Sequence, residues 1–176
     1  MVAARLQIES GRGRRFTNVS VLIDTNILVY RFDPVDPTKQ RLATELLAQR
    51  LQAGEPTLLP HQAIIEFVAA VTRPRCALAG EPLLIRREAL IEAEAMMQQF
   101  DVLYPDALVL QTALRGAEVY GLSWFDAHLW AYAEVNGIPE ILSEDFQHGR
   151  YYGSVRVVDP FIQAAGGARE LPALYG

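Results

Sequence analysis

Val21-Leu22-Ile23-Asp24 and Ile141-Leu142-Ser143-Glu144-Asp145 share one design: a short aliphatic run that leads straight into an acid. Each run reads as a buried strand. In an open α/β sheet, ligands bind outside the carboxyl ends of the strands, so the two strands deliver Asp24 and Asp145 to the same rim. An aspartate after a strand also caps the following helix, and for either position alone that alternative stays open. Two such acids together shift the reading towards a site.

Outward from these runs, the chain alternates strand and helix from Val19 onwards. Val19–Ile23 is the first strand and Asn26–Phe32 a helical turn or two. Asp36 and Pro37 have the order of an N-cap and a first helical position, opening a helix to about Ala53 with Gly54 behind it. Thr57–Leu59 is the second strand, and Gln62–Arg73 a helix stopped by Pro74. Glu81–Pro82 starts a long helix to Phe100, and Val102–Tyr104 is the third strand. Asp106 caps a helix that ends at Gly121, and Ser123–Asn136 is another, stopped by Gly137. Glu140–Ser143 and Val155–Val158 are the fourth and fifth strands. Strands separated by helices, with a hairpin conceivable only in the final pair, predict an α/β fold whose mostly parallel five-stranded sheet is flanked by helices. Residues 19–161 form this domain. Residues 1–18, with Arg5, Arg12, Arg14 and Arg15, read as a flexible basic arm, and residues 162–176 as a C-terminal tail.

Two further acids stand out. Glu66 interrupts the apolar helix Ala63-Ile64-Ile65-Glu66-Phe67-Val68-Ala69-Ala70-Val71, where a lone carboxylate needs a reason. The alternative is a narrow solvent stripe through Gln62, Glu66 and Arg73. Asp126 occupies the third helical position of a capping box opened by Ser123, yet it shares a face with Leu129, Trp130 and Ala133. An acid there is favoured by the helix dipole, and capping and metal binding can both use it. Four acids without a matching set of Cys or His suit a hard cation, Mg²⁺ or Mn²⁺, rather than zinc. Such ions activate water and stabilise in-line displacement at a phosphodiester. Asn26 and Ser143 are placed to orient these ligands or to bind a phosphate.

Composition sets the bounds. The 176 residues make one domain, and 51 % hydrophobic with 21 % charged residues is ordinary for a globular chain. The net charge of −5 runs against the basic surplus usual in nucleic-acid binders, but the four carboxylates account for most of it. Cys76, the single cysteine, excludes an internal disulfide and a cysteine-rich zinc site and fits the cytoplasm. No apolar run approaches the roughly 18–20 residues that span a bilayer. Met1 to Ser20 has no continuous apolar core, so neither membrane insertion nor a secretory signal is expected.

The four segments in order resemble the PIN-domain family, in particular the VapC-type toxins of bacterial toxin–antitoxin pairs. The matching stretches are Leu22-Ile23-Asp24-Thr25-Asn26-Ile27-Leu28-Val29-Tyr30, the helix His61–Arg73 around Glu66, Trp124-Phe125-Asp126-Ala127-His128-Leu129-Trp130-Ala131, and Leu142-Ser143-Glu144-Asp145-Phe146. Val157-Val158-Asp159-Pro160-Phe161 resembles the closing strand. The resemblance implies a PIN-like three-layer fold and an endoribonuclease cutting single-stranded or loop RNA. It also implies a homodimer inhibited by a cognate antitoxin. Its acid motif falls on Asp24, Glu66, Asp126 and Asp145. The arm before Val19 and the tail Ile162–Gly176 depart from the family, and Asp159 stands where an asparagine is more usual.

Arg73, Arg75, Arg86 and Arg87 are candidates to line an RNA path, against the plainer reading of a solvated charged surface. His128 and His148 are candidates for phosphate contact, although isolated histidines are more often structural. Trp124 and Trp130 are candidates for base stacking, with core or dimer packing favoured. Two competing classes remain. A haloacid-dehalogenase-like phosphatase also follows its first strand with an aspartate, but it needs a second acid where Asn26 stands and a lysine, of which Lys39 is the only one. A non-catalytic PIN-like RNA-binding module would have lost its acids, and all four are present.

Overall fold

The computed structural model describes residues 20–162; the arm and nearly all of the tail lie outside them. The elements in chain order are β1 (Val21–Ile23), α1 (Thr25–Tyr30), α2 (Pro37–Ala53), β2 (Thr57–Pro60), α3 (His61–Val71), a 3₁₀ turn (Cys76–Leu78) and α4 (Arg86–Gln99). They continue with β3 (Asp101–Leu103), α5 (Ala107–Tyr120), α6 (Trp124–Asn136), β4 (Glu140–Leu142), β5 (Tyr151–Tyr152) and β6 (Val155–Val158). The expected caps form. Asp36 and Asp106 accept from the backbone N–H groups of Lys39 and Val109, while Gly54 and Gly137 close α2 and α6 in the left-handed conformation.

The strand order is β3-β2-β1-β4-β6-β5, parallel throughout except for the antiparallel β5–β6 pair. The sheet therefore has six strands rather than the five counted from sequence. The extra strand is two residues long, too short to show an alternating pattern, and it turns into β6 through Gly153 at φ +60°. The long fourth helix starts later than Pro82. The peptide N–H of Leu84 instead bonds to Val71 O at 3.0 Å, where it satisfies the end of α3, and Leu83 and Leu84 pack on the core.

Side chains alternate across the sheet as strand geometry requires. Val21, Ile23, Leu59, Leu142 and Val158 face the core shared with α1 to α4. Leu22, Leu58, Ile141 and Val157 face the core built with α5 and α6. Three layers result, as the PIN-like reading expects. The chain runs β1-β2-β3 towards one edge and β4-β6 towards the other. The switch in direction thus lies between β1 and β4, where a crevice opens at the strands' carboxyl ends.

Candidate active site

β1 and β4 lie side by side in register, Ile23 opposite Leu142, and the N–H of Asp24 bonds to Leu142 O at 3.0 Å. The acids that follow the two strands therefore emerge together. Asp24 Oδ1 accepts from the N–H of Thr25 at 2.6 Å as the N-cap of α1. Its Oδ2 accepts from Asn26 Nδ2 at 3.0 Å and from the Ser143 hydroxyl. Asn26 Nδ2 also donates to Asp145 Oδ2 at 3.1 Å, and Ser143 Oγ accepts from the N–H of Asp145 at 3.1 Å. Asn26 and Ser143 thus tie Asp24 to Asp145.

Glu66 reaches the same place from α3, which follows β2 without a loop. Its Oε2 accepts from Thr25 Oγ1 at 2.8 Å and its Oε1 from Gln62 Nε2 at 2.7 Å. Asp126 comes from the first turn of α6. There Ser123 Oγ accepts from the N–H of Asp126 at 3.2 Å and donates to Asp126 Oδ2 at 2.7 Å, so Ser123 caps α6 as expected, and Asp126 also borders the cleft. All four acids line one cleft of about 520 Å³.

Asp24 is 8 % exposed. Its carboxyl is raised from the ordinary 3.8 to about 7, chiefly by burial, with the charges of Asp145 and Glu66 adding to the rise and the hydrogen bonds from Ser143 and Thr25 opposing it. Between those two values the folded chain keeps a proton that the unfolded chain has released, so stability falls as pH rises through that window. Without divalent metal, the wild type should lose on the order of 2–3 kcal/mol through this group between about pH 5 and about pH 8. Urea unfolding at the two pH values, with Asp24→Asn as reference, measures it; equal pH slopes in the two proteins would rule the effect out.

The donors fit a hard divalent cation in chemistry. They are all oxygen, they crowd like charge around a buried aspartate, and Asn26 Oδ1 lies buried with no hydrogen-bond partner among the described residues. Closure is a separate matter. Among the described residues, no three Asp, Glu, His or Cys side chains draw together as a ready ion-binding group; the carboxylates hold the hydrogen bonds given above.

The remaining candidates divide. Arg73 and Arg75 line the cleft, with Arg75 Nη1 paired to Asp33 Oδ2 at 2.6 Å. Arg86 and Arg87 stand exposed at the start of α4, away from the cleft lining. Trp130 is core, its indole N–H donating to Tyr152 O at 2.8 Å. Trp124 is partly exposed and stacks on His128. His148 Nδ1 accepts from the N–H of Asp159 at 3.0 Å, and Asp159 Oδ1 accepts from the N–H of Phe161 at 2.8 Å; both shape the loop that follows β6. Lys39, the residue a phosphatase reading needs, is bound to Glu144 and to Tyr30 Oη and does not line the cleft. Nothing in the sequence alone marks Gln62 or Thr25 as site residues beyond one local signal, the spacing of Gln62 one turn before Glu66.

A family model described as PIN domain matches residues 21–154. Solved structures share the fold. A toxin–antitoxin complex from Klebsiella pneumoniae superposes with a TM-score of 0.57 at 18 % identity, covering 80 % of this chain and 98 % of that one. VapC20 from Mycobacterium tuberculosis, described as a sarcin–ricin loop cleaving toxin, gives 0.51 at 18 % identity over 69 % and 87 %. FitAcB from Neisseria gonorrhoeae gives 0.51 at 20 % identity over 80 % and 98 %. No curated protein matches the sequence.

Proposed function

The chain belongs to the PIN-domain family, and from that premise we propose that it is a Mg²⁺- or Mn²⁺-dependent endoribonuclease, the toxin of a toxin–antitoxin pair acting in the cytoplasm. The observation that carries this reading is the convergence of Asp24, Glu66, Asp126 and Asp145 on one cleft at the carboxyl ends of parallel strands. These four acids would hold the ion. When bound, the ion offsets the charge that builds on a phosphodiester and acidifies a water. Asn26 and Ser143 orient Asp24 and Asp145, and Thr25 orients Glu66. Arg73, the cleft arginine with no acidic partner among the described ion pairs, is placed to meet the RNA backbone.

The toxin role is carried over from the solved neighbours in toxin–antitoxin complexes. An acidic cleft suits an arginine of the antitoxin, which can pair with two carboxylates. The homodimer is carried over from the family resemblance of the sequence. Ile65 and the α6 pair Trp124 and Phe125 are exposed on two helices joined by Gln62 Nε2 donating to Phe125 O at 3.4 Å, and a second copy would cover them. No helix among the described residues is long and apolar enough to cross a membrane.

The test is cleavage of single-stranded RNA by metal-stripped protein, with Mn²⁺ restored stepwise and the new ends mapped. Cutting is expected only with the ion present. Undiminished cutting in EDTA would remove the metal, and intact RNA beside degraded DNA would change the substrate.

A further inference from the structure

Three groups meet at the amide of Gln62. Nε2 donates to Glu66 Oε1 at 2.7 Å and to Phe125 O at 3.4 Å, while Oε1 lies 2.5 Å from His128 Nδ1. A carboxylate and a peptide carbonyl only accept, so the NH₂ end must face them and Oε1 must face the ring. Because Oε1 cannot donate, His128 Nδ1 carries the proton. The other ring nitrogen, Nε2, is buried with no partner among the described residues, where a second N–H would be left unsatisfied. The ring is therefore the neutral Nδ1–H tautomer. Its plane is set by its neighbours one turn away on α6: Trp124 stacks on it at 5.9 Å and 10°, and the Tyr132 ring lies 5.1 Å away. At the far end of the chain of bonds, Thr25 Oγ1 holds the second oxygen of Glu66. Both oxygens are then fixed, and each keeps a lone pair free.

We propose that Gln62, steered by the Nδ1–H of His128, is a positioning residue: it fixes the Glu66 carboxylate and registers α3 against α6, so that Glu66 and Asp126 stay on the walls of one cleft. This rests on the nuclease reading and adds to it two residues outside the acid motif. Gln62 acts through Glu66, and His128 acts through Gln62.

The experiment uses the full chain with Gln62→Leu, His128→Phe, the double variant and His128→Asn, each first checked for a wild-type circular dichroism spectrum. Gln62→Leu and His128→Phe are each expected to raise the Mn²⁺ Kd by calorimetry, and the Mn²⁺ concentration for half-maximal cleavage, by about 10–100-fold. KM for RNA should not change. The double variant should be no worse than the weaker single, because the two residues act in series. His128→Asn, whose amide N–H can take the place of ring Nδ1–H, should recover most of the loss. Nitrogen-15 NMR should show the Nδ1–H tautomer in the wild type. Folded variants with wild-type Mn²⁺ affinity, multiplying losses in the double variant, or an Nε2–H tautomer would overturn the proposal. Failure of the nuclease reading has its own signature, wild-type protein that binds Mn²⁺ yet leaves RNA intact, and calorimetry and NMR then decide the positioning role. Wild-type protein that binds no Mn²⁺ overturns both.

Discussion

Purified Asp24→Asn protein is expected to cut RNA at roughly one-thousandth of the wild-type rate or less, a loss of about 4 kcal/mol of transition-state stabilisation. The same protein should melt higher than the wild type in EDTA. The two effects share one cause. Asp24 is buried beside Asp145 and Glu66, so its charge opposes folding and attracts a cation. Asparagine keeps the N-cap hydrogen bond to Thr25 and the size of the side chain; it removes the repulsion, worth about 4 kcal/mol at full ionisation, and gives back part of that because its NH₂ cannot accept from Asn26 Nδ2 as Oδ2 does. Above about pH 7 the gain should be on the order of 2–3 kcal/mol. Mn²⁺ at about 100 times its Kd should then raise the wild type by about 2.7 kcal/mol and the variant by much less, narrowing or reversing the ranking. Cleavage assays paired with melts in EDTA and in Mn²⁺ check it. A variant that cuts at the wild-type rate, or melts lower in EDTA, would remove Asp24 from the centre of the site.

The second large effect lies away from the cleft, where α5 crosses α6. A Cβ on Gly116 would stand 2.4 Å from Trp130 Cζ3 and 2.5 Å from Cε3. The indole has little room to give way: Trp130 is buried, its N–H is bound to Tyr152 O, and Tyr120 packs edge-on against its ring. Alanine would raise intrinsic helix propensity by about 1 kcal/mol over glycine, so an open site would be stabilised. Here the clash should win, and Gly116→Ala should destabilise by roughly 1–3 kcal/mol net. Gly116→Val should cost more. The signature is coupling. In a Trp130→Leu background, itself weakened by the lost packing, Gly116→Ala should become neutral or stabilising. Urea unfolding of the four proteins measures this; additive effects across the cycle would show that the two helices part easily.

Much of this protein is written locally. The aliphatic runs ending in Asp24 and Asp145, the caps at Asp36, Asp106 and Ser123, and the glycine stops are decided by residues within a few positions of one another, so the parallel α/β layering was legible. The shared rim of Asp24 and Asp145 was legible too, because a strand that ends in an acid points it at the ligand-binding edge wherever the strand sits. The tertiary structure decided which of them is under strain. Asp126 reads as the inward acid of an apolar face, yet its surroundings leave it partly exposed, and burial falls on Asp24, between β4 and the acids of two other elements. It also decided that Arg75 pairs with Asp33, that Arg86 and Arg87 stand away from the cleft, and that Leu84 satisfies the end of α3 where a helix was expected. Gln62 shows the reason most clearly. Its value depends on His128, 66 residues away, and on a carbonyl of a different helix; periodicity gives the face of its helix, and only the packing of α3 against α6 gives its partners.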